Sequence, residues 1–285
     1  MTTPDAPIVV PLDGSKNAEN AVPFAAYLAN LYDDCPVHFI HVVDPDVVRT
    51  TDDYERARDA FRSHVDTLVE AHGIKNSLAY VAGDSSPSEA ILRYKWEAGA
   101  RFVVIATHGR GGFQALFVGS VADKVCRATR VPTFVVPGID TEIEAPHGPV
   151  LIALDGSPEA EHALELGRDT AHRMGANIYL LRAYSVPPPV GVEFSYYSPD
   201  VLASFQKAAE DYLEAVGVEG EYKILVQASP AIAIEEAANK YDAGLIVMAS
   251  RGKGLAQRVA LGSTTDRVMH SVRRPLLIVP AGRDG

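Results

Sequence analysis

The sequence predicts an α/β fold: two tandem doubly wound domains, each built on a five-stranded parallel sheet. Three observations carry that prediction: the chain repeats itself, its short apolar runs alternate with amphipathic segments, and those runs are rich in Val and Ile. The repeat shows in "IVVPLDGSKNAENAV" from Ile8 and "VLIALDGSPEAEHAL" from Val150, which set Asp13 against Asp155. Further on, Gly109 aligns with Gly252, and both halves close alike, "RATRVPTFVVP" at 127–137 and "HSVRRPLLIVP" at 270–280. The offset moves only from 142 to 143 residues between the two landmarks, as expected of a duplication rather than chance motifs. The domains are expected at 1–140 and 147–285. The polar stretch "GIDTEIEAPHGP" (138–149), with its Gly and Pro, reads as the linker between them.

In the first half, strands are expected at 8–12, 37–43, 77–81, 102–106 and 133–136. Their nearly unbroken apolar character suits a sheet covered on both faces, hence a parallel one. Amphipathic segments near 16–32, 53–73, 86–98 and 119–129 supply the helices between them. The second half repeats the pattern, with strands near 150–154, 176–183, 222–227, 244–249 and 276–279. Ser157-Pro158-Glu159 is a strong helix start: a capping serine, proline at the first position and an acid in the first turn. The proline-rich stretch "SVPPPVGVEFSYYSPD" (185–200) reads as an extended surface connection, with a lid or a contact to the other half as the alternative.

The composition narrows the function. With 26 basic against 37 acidic residues the formal net charge is −11, which argues against binding duplex nucleic acid. A 47% hydrophobic content with no apolar run near 18 residues predicts a globular chain without a membrane span. Cys35 and Cys126 are too few for a disulfide framework and read as small buried residues. The opening "MTTPDAP" lacks the basic and apolar regions of a signal peptide, so a cytoplasmic address is expected.

Chemistry concentrates in two glycine segments, "THGRGGFQALFVGS" (107–120) and "SRGKGLAQRVALGS" (250–263), each following a fourth strand. Glycine there permits a sharp turn and a close backbone approach. Gly119-Ser120 and Gly262-Ser263 open helices, whose unpaired N–H groups and positive dipole end favour an anion such as phosphate. Neither segment has the lysine of a P-loop or the spacing of a dinucleotide fingerprint. An ordinary glycine turn with a Gly-Ser cap therefore stays open beside the phosphate reading. Asp13 and Asp155 reach the same sheet edge, either as Asp-Gly turns or as partners of a ribose hydroxyl, an adenine amine or a divalent ion. His108 and Arg251 occupy matching positions, and Arg251 and Lys253 can meet phosphate directly. His38 and His41 fall on opposite strand faces, which disfavours a metal site. No Ser-His-Asp or paired-carboxylate arrangement compels a catalytic role, so neither catalytic nor metal residues are assigned.

At these residues the sequence resembles the universal stress protein family in a tandem two-domain form. The family's pattern is G-x-x-G, nine residues, then G-[ST]; here it reads Ala106-Thr107-His108-Gly109 with Gly119-Ser120, and Ala249-Ser250-Arg251-Gly252 with Gly262-Ser263. The first glycine is alanine in both halves. The resemblance implies the adenine nucleotide alpha-hydrolase-like fold, paired domains and, in the family's nucleotide-binding branch, ATP held by this loop; Mg²⁺ is the other candidate cofactor. The implied contacts are Asp13, Val42, Ala106, His108, Gly109, Gly119, Ser120 and Val121, and in the second half Asp155, Ala183, Ala249, Arg251, Gly252, Gly262, Ser263 and Thr264. It also implies an adenine nucleotide as partner, packing of the two domains on each other, homo-dimerisation, and at most slow ATP hydrolysis. Two other readings remain: an interaction module that has lost the ligand, and an adenylating enzyme, for which the repeat leaves no acceptor-substrate domain.

Overall fold

The structure, a computed structural model, describes residues 6–44, 48–83, 86–107, 118–138, 145–184, 199–252, 261–271 and 273–281. In the first half the chain runs β1 (Ile8–Pro11), α1 (Lys16–Glu19), α2 (Ala21–Leu31), β2 (Val37–Val42), α3 (Thr51–His72), β3 (Ser77–Ala82), α4 (Pro87–Glu97), β4 (Phe102–Ala106), α5 (Ser120–Ala128) and β5 (Thr133–Val136). The second half follows with β6 (Val150–Leu154), α6 (Pro158–Met174), β7 (Ile178–Tyr184), α7 (Pro199–Val216), β8 (Tyr222–Gln227), α8 (Pro230–Lys240), β9 (Leu245–Ala249), α9 (Ser263–Ser271) and β10 (Leu276–Val279).

Each half is a parallel sheet, and the two sheets are one. The strand order is β3-β2-β1-β4-β5-β10-β9-β6-β7-β8, with β5 and β10 antiparallel at the centre, pairing Leu276 with Val135 and Leu277 with Phe134. Left alone, β5 and β10 would each expose a row of unpaired N–H and C=O groups. Their pairing removes both edges at once. One face of the sheet packs on α2, α3, α6 and α7, through residues such as Phe24, Phe61, Leu164 and Leu213. The other face packs on α4, α5, α8 and α9, through Ile91, Val125, Ile234 and Val268. Burial on both faces explains the continuous apolar runs, as in the wholly buried β4, β5, β9 and β10.

The helix expected over 16–32 is corrected: it breaks at Asn20 into α1 and α2. Pro23 is the physical cause, because it has no N–H for Glu19 and its ring crowds that carbonyl. The matching residue of the unbroken α6 is Glu165. The helix expected at 53 starts two residues earlier, where Thr50 and Asp53 form a capping box, Thr50 Oγ1 accepting from Asp53 N at 3.1 Å. Ser157 caps α6 as expected, accepting from Ala160 N at 3.2 Å. Pro199 and Asp200, counted into the 185–200 connection, instead open α7, where a first-turn proline is tolerated. The rest of that connection and residues 139–144 of the linker lie outside the described residues.

Candidate functional site

Both glycine loops are anchored by the same backbone bonds. Past β4, Thr107 N donates to Val136 O (2.9 Å), Gly119 N donates to Thr107 O (2.5 Å), and Thr107 Oγ1 accepts from Gly138 N (2.9 Å). Past β9, Ser250 N donates to Val279 O (2.7 Å), Gly262 N donates to Ser250 O (2.8 Å), and Ser250 Oγ accepts from Ala281 N (3.0 Å). A residue with a hydroxyl at the strand end thus ties the base of the loop to the last strand of its half. Ser120 and Ser263 then open α5 and α9. Gly119 caps α5 without a side-chain hydrogen bond, so the helix keeps N–H groups to offer. His108 and Gly109 of the first loop, and Lys253 of the second, lie outside the described residues.

The aspartates after β1 and β6 first serve their own turns. Asp13 Oδ1 accepts from Ser15 N at 2.9 Å; Asp155 Oδ1 accepts from Ser157 N at 2.9 Å and from Ser157 Oγ at 2.5 Å. Gly14 and Gly156 sit at φ 81° and 74°, a region that favours glycine. The Asp-Gly turn reading therefore describes one carboxylate oxygen of each. Asp155 Oδ2 points elsewhere: a Cβ built on Gly252 would fall inside that carboxylate. A side chain at 252 would therefore force the Asp155 carboxylate to shift. Gly262 differs, because a Cβ there would meet Arg251 Cα and Ser250 O at 3.4 Å, ordinary contact. Among the described residues nothing forbids a side chain at 262.

The strand beside each aspartate is pinned by a side chain. His41 Nδ1 donates to Leu12 O at 2.8 Å, with its ring stacked on Phe61, and Arg182 Nη1 donates to Leu154 O at 3.2 Å. Val42 and Ala183 follow these residues at the sheet edge. In the first half Ala106 is buried, Asp13, Val42, Gly119 and Val121 are half-buried, and Ser120 is exposed.

In the second half a cavity of about 650 Å³ opens beyond the ends of β6 and β9, where the winding reverses. Its lining includes Asp155, Ala183, Ala249, Arg251, Gly252, Gly262, Ser263 and Thr264, the second-half contacts that the family resemblance implies. The lining combines apolar Ala153, Leu181, Ala183, Ile234 and Met248 with polar Asp155, Arg251, Ser263, Thr264 and Asp266. Arg251 Nη2 donates to Ala281 O at 3.3 Å while lining the cavity.

The sequence model described as the Universal stress protein family matches residues 6–137 and 147–280, one match for each half. The chain belongs to the universal stress protein family. A universal stress protein of Mycolicibacterium smegmatis is 28% identical over 296 residues, covering 95% of this chain and 96% of the relative. One from Mycobacterium tuberculosis is 26% identical over 287 residues, covering 95% and 96%. Among solved structures, a universal stress protein from Archaeoglobus fulgidus superposes with a TM-score of 0.70 at 21% identity, covering 98% of this chain and 99% of that one. Among the described residues no helix is long and apolar enough to cross a membrane.

One lining residue of the second-half Usp domain comes from the first. Arg127, in the last turn of α5, reaches the cavity rim. Its Nε donates to both oxygens of Asp123 at 2.9 Å, and its Nη2 bonds Asp266 on α9. The hydrogen bond it donates to Asp123, opposed by burial, raises the Arg127 pKa further. Asp123, Asp266 and His270 bring one ligand atom each within 4.8 Å of one another, but Arg127 already binds both carboxylates, so the group is an ion-pair cluster. Sequence reading passed over Arg127 and Asp266, whose only local signal is an acid three residues after each Gly-Ser serine.

Proposed function

We propose that the second-half cavity binds an adenine nucleotide, ATP first, and that the bound state changes the partners or assembly the protein enters. One observation carries the reading: a single cavity, lined by both apolar and polar side chains, gathers the motif residues of the second half. Its volume of about 650 Å³ falls within the range for small-molecule sites, roughly 300–1,000 Å³. The base would lie against Ala183, Ile234 and Met248, and the phosphates toward the N-terminus of α9, where helix N–H groups and the dipole favour anions. Ala183 gives the base a shallower wall than Val42 would at the equivalent place. Magnesium would arrive on the phosphates, since Asp155 and Asp266 are both engaged by protein donors.

Calorimetric titration of the whole chain with Mg·ATP and with adenosine tests this. Saturable binding is expected, and Gly262→Val should remove it from the second half without unfolding the protein. Gly262 lines the cavity, and a Cβ there makes only ordinary contacts with the described residues, so Val at 262 would crowd a bound ligand. No binding of either compound, together with no nucleotide released on denaturing the purified protein, would make the protein an interaction module instead.

A further inference from the structure

We propose that the first half completes the second-half cavity: Arg127 binds the terminal phosphates of a nucleoside polyphosphate seated there. The inference rests on the nucleotide reading above and extends it to a contribution that crosses between the halves. Three observations carry it. Arg127 lines the cavity of the other half and bonds Asp266 in the first turn of α9, the turn that Ser263 and Thr264 open, because the β5–β10 pairing sets α5 beside α9. Its guanidinium is only partly used: Nε and Nη2 serve Asp123 and Asp266, while Nη1 donates to nothing among the described residues. The two N–H groups of Nη1 remain for an anion. Third, Asp266 is itself part of the lining, and an unpaired carboxylate there would repel a polyphosphate. Arg127 cancels that charge and presents donors in its place.

The arrangement also predicts which ligands gain. Adenosine lies against the apolar side chains and does not need Arg127. A monophosphate can be held by the N-terminus of α9 and by Arg251. The β and γ phosphates carry additional charge, and among the described lining residues the cations are Arg127 and Arg251, the latter tied to Ala281 O. At the position of α9 equivalent to Arg127 stands His270, whose Nδ1 donates to Asp266 O at 2.7 Å. The cross-half arginine therefore has no arginine counterpart reaching back to the first half.

The test titrates ATP, AMP and adenosine into the full chain at fixed salt. Arg127→Met should weaken ATP binding about tenfold, because a charge-assisted hydrogen bond is lost, and leave adenosine unchanged. Arg127→Lys, which keeps the charge and loses the guanidinium, should recover part of the loss. Asp123→Asn, which loosens the hold on the guanidinium, should tighten ATP and not adenosine. If Arg127→Met does not fold, Asp123→Asn decides: unchanged ATP affinity overturns the proposal. A folded Arg127→Met that binds ATP like the wild type, or that loses ATP and adenosine equally, overturns it while leaving the nucleotide reading intact. A wild type that binds neither compound overturns both.

Discussion

At the end of β4, Thr107 bonds Val136 and Gly119; at the end of β9, Ser250 makes the same two bonds, to Val279 and Gly262. Around these matching bonds the side chains have parted. His41 and Val42 in one half are Arg182 and Ala183 in the other, Arg127 faces His270, and Pro23, which breaks a helix, faces Glu165. Buried Lys95 on α4 faces Ala238, equally buried on α8. The difference shows what the duplicated frame requires. Backbone groups at strand ends must be paired wherever water is excluded, so those bonds persist. Side chains at the cavity rim carry no such obligation and have changed charge.

The largest effect should come from the two second-half loop glycines, which separate protein need from ligand need. Gly252→Ala puts a methyl into the Asp155 carboxylate and should cost about 1–3 kcal/mol in urea denaturation. Gly262→Ala should leave stability within about 0.5 kcal/mol. Equal losses in both would mean that position 262 is also fixed by the fold.

The contact between the halves on the opposite face comes next. Tyr32 and Thr170 bond across it at 2.8 Å, and Thr170 Oγ1 spends its own proton on Leu166 O at 2.8 Å, so Tyr32 must be the donor. Burial pushes the Tyr32 phenol pKa up, keeping that proton in place. Thr170→Val strands a buried hydroxyl and should cost about 1–3 kcal/mol, whereas Tyr32→Phe should cost about 1. The reverse order in thermal unfolding would show that the bond does not run this way.

Lys95 gives the smallest effect and the clearest sign. Burial, then nearby Arg130, lowers its pKa from 10.5 to about 8. Between those values the unfolded chain holds a proton that the folded chain does not, so raising the pH through that window stabilises the wild type. Below about pH 8 the fold carries a buried ammonium. Lys95→Met should therefore stabilise the protein by about 1 kcal/mol at pH 7, an advantage that fades toward pH 10.5. Stability curves of the two proteins that stay parallel from pH 7 to 10 would refute it.

The repeat, the strands and the sheet edge that gathers the second-half motif residues were legible because each rests on local pattern: apolar runs, turn glycines and a capping serine. Pro23 was an equally local signal for the break at Asn20, overridden in the reading by the apolar pattern on either side. Arg127 was not legible. Its place at the rim depends on β5 meeting β10 in register, and no residue near 127 announces that pairing. The two uses of Asp155 were also hidden, since one oxygen serves Ser157 and the other faces a glycine almost a hundred residues away.

The central β5–β10 pair has a consequence for synthesis. β5 is complete when residue 136 has been made, yet its antiparallel partner, β10, ends at Val279. At ordinary elongation rates of about 5–20 residues per second, the intervening 140 or so residues take roughly 7–30 s to emerge. Throughout that interval a finished first half presents Thr133, Phe134 and Val135 as an open apolar edge, able to capture the same edge on a neighbouring nascent chain. The order of translation thus makes the join between the halves the step at which this protein is most exposed to mispairing with its own copies.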